Sequence, residues 1–136
     1  MNLPSERQRN PYQGSPARAW IVLRLATQDG LSRDFKLVVD TACPLSFAIA
    51  PDHVPEFSFG MSAPIVTNFG ILQGEWFHLA MPELGLDALI VGYASEEASN
   101  AVRVDHPEFV GLVGLPLLQL LEYGGDAEEF WVRRRS

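Results

Sequence analysis

Three consecutive apolar β-formers, Leu37-Val38-Val39, run directly into a carboxylate, Asp40, which is followed by a hydroxyl residue, Thr41. A strand of that composition belongs in a core, and a carboxylate at its end is costly there unless something stabilises it. The fold must either carry Asp40 out to a turn, where Asp-Thr pairs are common, or hold it in a site that uses it. The residues upstream fix the rest of this unit. Asp29-Gly30 is a strong hairpin signal, and it separates the strand candidate Trp20–Leu25 from Phe35–Val39. The strand that ends at Asp40 is thus expected to be the return arm of a hairpin.

The remaining chain reads as further short strands. Ser46–Ala50 is stopped by Pro51, and Ile71–Met81 and Ala88–Tyr93 have strand character. The segment 54–68 is punctuated by Pro55, Gly60 and Pro64 and reads as loop. Ser95-Glu96-Glu97-Ala98 has the form of a capped helix start. Leu117–Glu122 reads as a short helix, with Pro116 in its first turn and Gly124-Gly125 as its end. Glu129–Val132 is a last strand. Many short strands and one late helix imply an all-β fold, a small closed β-barrel with one short C-terminal helix, rather than a parallel α/β sheet. The 136 residues suffice for one domain that needs neither metal nor disulfide to bury a core. Residues 1–18 are polar, with three prolines, and read as a flexible tail ahead of a single domain over 19–136.

Charge narrows the partners. Nine of the ten basic residues lie in 1–36 or 133–135, and residues 37–132 hold fourteen acids against Arg103 alone. Such a body disfavours nucleic acid, whose affinity depends on neutralising phosphates. The run Arg133-Arg134-Arg135 reads as a solvated tail. No apolar stretch is long enough for a membrane-spanning helix, and the first residues lack the apolar core of a secretory signal. The single cysteine, Cys43, allows no intrachain disulfide, which suits a reducing compartment. A cytoplasmic protein without membrane partners is expected.

Few other residues suggest chemistry. His53, His78 and His106 have no metal-ligand spacing, so no metal or other cofactor is expected. His78 is expected to face solvent from a strand, and His106 to lie in a turn. Cys43 reads as a small buried hydrophobe. Trp20, Trp76 and Trp131 suit a core or an interface between subunits.

One internal echo links two distant segments. Leu37–Thr41 and Gly111–Leu115 are each an apolar strand that stops at a small or polar residue. Together they resemble the two hallmarks of retropepsin-like, single-lobe aspartic proteases. The first is two apolar residues before Asp-Thr-Gly, here Val38-Val39-Asp40-Thr41-Ala42. The second is two apolar residues and a glycine before a short helix, here Leu112-Val113-Gly114 ahead of Leu115-Pro116-Leu117-Leu118. The spacing fits a single-lobe member, and the likeness covers Trp20 to Arg133. It implies an acid-protease type of barrel and an aspartic endopeptidase acting on peptide or protein substrates. The dyad would be completed by Asp40 of a second, identical subunit. Thr41 would brace the two carboxylates across the dimer. Ala42 and Cys43 would lie on the substrate side, and Phe69 and Gly70 at the tip of a flap spanning about 60–74. Ala42 departs from the family's glycine, so an inactive peptide-binding or dimerisation module on the same fold is the alternative.

Overall fold

The computed structural model describes residues 7–68, 70–104 and 106–136. The strands are β1 (Arg7–Pro11), β2 (Trp20–Ala26), β3 (Ser32–Asp40), β4 (Phe47–Ile49), β5 (Ser58–Met61), β6 (Ile65–Thr67), β7 (Gly70–Met81), β8 (Leu86–Ala94), β9 (Phe109–Gly114), β10 (Leu121–Gly125) and β11 (Glu129–Arg134). Three short helices interrupt them: α1 (Val54–Phe57), α2 (Glu96–Arg103) and α3 (Leu115–Leu118). The chain is mostly β, as the density of β-formers and turn residues implies. No helix among the described residues is long and apolar enough to cross a membrane.

The larger sheet runs β2-β3-β9-β4-β8-β7-β5 and closes on itself, because β2 also pairs with β7 at Leu25–Leu79 and Ala26–His78. The result is a ring of hydrogen-bonded strands with Ile21, Leu23, Leu37, Phe47, Phe77, Leu79 and Val113 in its interior, all fully buried. Strand β7 shows why the pattern closes. Phe77, Leu79 and Met81 turn inward, while Trp76, His78 and Ala80 are more exposed, the period-2 alternation of a sheet with one buried face. The hairpin from β2 to β3 turns at Asp29-Gly30 as expected, with Gly30 at φ +85°.

Strand β9 has an unusual position. It lies parallel to β3 and antiparallel to β4, so it sits between two strands that are consecutive in sequence. The parallel register sets Val39 beside Val113 and Asp40 beside Gly114. The two echoing segments are therefore direct neighbours. Helix α2 covers the outside of this region. Ser95 caps it, its side chain accepting from the Ala98 N–H at 3.1 Å. Its buried residues Ala98 and Val102 join Trp20, Val38, Phe109 and Leu112 in a second apolar cluster.

Three expectations are corrected here. The polar stretch before residue 19 is not wholly a tail. Arg7–Pro11 forms β1, which pairs with β11 and, with β10, makes a separate three-stranded sheet. Its inward side chains are polar but satisfied. Gln8 accepts from the Val22 N–H at 2.6 Å and donates to the Val22 carbonyl at 2.9 Å, and the Asn10 amide donates to the Trp20 carbonyl. The helix expected over 117–122 is also shorter and earlier. Helix α3 ends at Leu118, and Leu121–Gly125 pairs with β11 as a strand. Leu121 is drawn into the core, and that burial outweighs the helical preference of the leucine run. Arg133 and Arg134 likewise belong to β11 rather than to a solvated tail.

Candidate functional site

Asp40 is the last residue of β3 and is half-buried in the single chain. The chain turns sharply after it. The Ala42 N–H donates to Asp40 Oδ1 at 3.1 Å, and the Cys43 N–H donates to the Asp40 carbonyl at 3.0 Å. The carboxylate thus accepts from its own turn, the Asx arrangement that aspartate favours. The turn then docks on the end of β9. The Leu115 N–H reaches the Cys43 carbonyl at 3.3 Å, and the Gly114 N–H reaches the Ser46 carbonyl at 2.9 Å. Gly114 is needed for this approach. A Cβ there would overlap the Leu45 carbonyl oxygen and stand 2.6 Å from that of Cys43. A cleft of about 410 Å³ opens beside the turn.

The opposite wall of the cleft is the hairpin of β6 and β7. Ile65, Val66, Thr67 and Asn68 face across to Asp40, Ala42, Cys43, Pro44 and Leu45. Apart from Asp40, Thr67 and Asn68, the lining is apolar. The hairpin is pinned at its tip by the Thr67 hydroxyl, which donates to the Gly70 carbonyl at 3.0 Å. Gly70 has φ +92°, a conformation that favours glycine over other residues. Val66 and Ile71 are paired directly across this hairpin, and both are about three-quarters exposed. A second hollow of about 300 Å³, lined by Arg18, Val39, Asp40, Ala101 and Leu112 among others, reaches Asp40 from the α2 side.

The residues singled out in the sequence are only partly brought together. Asp40, Ala42 and Cys43 share the cleft wall, and the hairpin carrying Gly70 faces them. Phe69 lies outside the described residues. Thr41 is exposed beside Asp40. Ala42 is also exposed, and its backbone needs no glycine, since every described residue with positive φ is a glycine. Cys43 is buried, as a small hydrophobe would be. Burial pushes its thiol pKa up, with Asp40 adding to the rise and the Leu45 backbone hydrogen bond opposing it. No histidine lines this cleft. His53 Nδ1 is 3.0 Å from an Arg33 nitrogen, His78 Nε2 is 2.6 Å from Asp87, and His106 Nδ1 accepts from the Glu108 N–H. Burial lowers the His53 pKa. Among the described residues, no three His, Cys, Asp or Glu side chains are grouped to hold a metal.

The flap expected over 60–74 contains Ile65–Asn68, but no reading of the residues themselves gave them a strand or a place in the cleft wall. Ile65-Val66-Thr67 is a β-branched run between Pro64 and Gly70, which is a hairpin signal in itself. Residues 58–61, read as loop, form β5. Pro44 and Leu45 carried no signal beyond their closeness to Asp40.

Comparison with known proteins supplies no relative. No protein-family model, no curated protein and no solved structure matches the chain.

Proposed function

We propose that this chain is one half of a homodimeric aspartic endopeptidase of the retropepsin-like kind. The observation that carries the reading is the pairing of β3 with β9. It brings the Asp40 strand and the Gly114 strand side by side, at the mouth of an apolar cleft roofed by a hairpin. An extended peptide would lie between Asp40 and that hairpin. Two Asp40 carboxylates, one from each subunit, would share a proton, because two such groups held close do not both ionise readily. The ionised carboxylate takes a proton from a water, and the water oxygen attacks the scissile carbonyl carbon. The other carboxyl gives its proton to the carbonyl oxygen. Collapse of the tetrahedral intermediate then breaks the C–N bond, and the amine leaves with a proton. A two-fold dimer of this sort joins the same surface patch on both subunits. Thr41, exposed beside Asp40 in the single chain, would brace the pair.

Ala42 supports a second reading. Its methyl group is exposed on the cleft wall where a substrate backbone would lie. An inactive peptide-binding or dimerisation module on the same fold would have this cleft without the activated water.

The test is cleavage of a mixed peptide library across the mildly acidic to neutral range, with wild type beside Asp40→Asn and the dimer checked by sedimentation. Cleavage by the wild type that falls to background in Asp40→Asn is the expected result. A dimer that cuts nothing would favour the binding module. A monomer that cuts nothing would remove both.

A further inference from the structure

The three-stranded sheet carries a surface that the peptidase reading does not use. In β11, Phe130 and Val132 are buried, so Trp131 and Arg133 lie on the outer face. The register sets Arg9 beside Trp131 and Arg7 beside Arg133 on one flank, and Gly124 and Glu122 beside the same two residues on the other. The indole lies down over Gly124, where an added Cβ would come within 2.7 Å of the ring. The Arg7 guanidinium stands 4.5 Å from the Trp131 ring centroid and that of Arg133 stands 5.1 Å from it. Arg133 is paired with Glu122 at 2.6 Å and Arg9 with Glu129 at 3.6 Å. Arg7 makes no ion pair with a carboxylate among the described residues.

Two like charges directly opposite on one sheet face destabilise the pair. Here Arg7 and Arg133 are held that way, and only one of them has a carboxylate. An anion arriving on the face would relieve that repulsion. The face is also flat and aromatic, so the anion can be attached to something that stacks.

We propose that the outer face of the terminal sheet, built from Arg7, Arg9, Trp131 and Arg133, docks an extended acidic peptide segment of a partner protein. Arg7 and Arg9 lie two residues apart on one strand, about 7 Å, which is also the spacing of alternate side chains in an extended peptide. Each guanidinium fork can donate two parallel hydrogen bonds to a carboxylate. Trp131, directly across from Arg9, holds the Arg7 guanidinium in place by stacking. A long polyanion is disfavoured, since the fourteen acids of residues 37–132 would repel whatever extends past the patch. A short acidic segment ends where the patch ends.

The experiment is a fluorescence-anisotropy titration of a labelled oligoglutamate peptide against the full chain, in low and in moderate salt. Arg7→Glu and Arg9→Glu are compared with wild type, their folding checked by circular dichroism. Arg7→Gln is held in reserve for a charge-reversed variant that fails to fold. A labelled oligonucleotide of equal charge and anionic phospholipid vesicles are titrated in parallel. Salt-sensitive peptide binding that weakens roughly tenfold on each charge reversal, the loss of one charge-assisted pair, is the expected result. Equal binding by wild type and variants, or no binding at all, would overturn the proposal. Tighter binding of the oligonucleotide or of the vesicles would also overturn it, in favour of a general polyanion or lipid surface.

Discussion

Around Asp40 the tightest contacts set backbone against backbone, whereas in the terminal sheet of β1, β11 and β10 they set backbone against side chain. On the first side, β9 is wedged between β3 and β4. Gly111 and Gly114 leave no room for a Cβ, because carbonyl oxygens of Ala48 and Leu45 occupy that space. On the second side, Gly124 faces the edge of the Trp131 ring and Gly125 faces the Tyr12 hydroxyl. There the contacts are stacked guanidiniums and exposed ion pairs. Backbone that is hemmed in by backbone has no rotamer to change. The difference therefore separates a part of the molecule fixed by exclusion from a part whose closest contacts can rearrange.

The sharpest way to break this contrast is to add one methyl group on each side. Gly114→Ala should destabilise the protein by about 3 kcal/mol, the upper end for an overpacked site, because the strand itself must shift. Gly124→Ala should cost only about 1 kcal/mol, since the Trp131 ring can tilt away. Chemical denaturation of the two variants measures the ratio. Equal losses would mean that the terminal sheet is as rigid as the ring.

A smaller effect is expected from acid. The Ser136 hydroxyl, the Arg133 guanidinium and the Ser136 N–H hold the Glu122 carboxyl at about 2, below its ordinary 4.5. Between those values the unfolded chain carries more protons than the folded one, so stability rises with pH. This contribution is complete above about 4.5 and is lost as pH falls towards about 2. Glu122→Gln should flatten that part of the thermal-melting curve against pH, and moderate salt should flatten it further. The Glu122–Arg133 pair is only partly buried and screened by solvent, so the slope will be shallow. An unchanged slope would show that the pair is absent in solution.

Much of the ring could be read from the sequence. The β2–β3 hairpin, the end of β3 at Asp40, the strand character of β7 and β8, and the Ser95 cap all follow from local pattern and turn chemistry. The terminal sheet could not be read in this way. Arg7–Pro11 has no apolar alternation, because Gln8 and Asn10 are turned inward to bond the β2 backbone. Leu121–Gly125 ends in two glycines that in isolation terminate a helix. Of the candidate site, the carboxylate and its turn were visible. The opposing wall was anticipated only through the resemblance, as a flap over 60–74, because Val66 and Thr67 become cleft residues only through how β6 folds over. The adjacency of β3 and β9 follows from no periodicity, and the likeness between their sequences does not say that they pair.

The wedged position of β9 has a consequence for how the protein comes into being. Strands β3 and β4 emerge first, only a short turn apart, yet they cannot pair with each other. Each must await a partner some seventy residues further along the chain. A nascent chain that stops after β8 therefore presents two open strand edges around an empty slot. Contacts of such sequence separation form slowly, and unpaired edges invite the wrong neighbour. Until β9 arrives, Asp40 belongs to a strand with one side still bare.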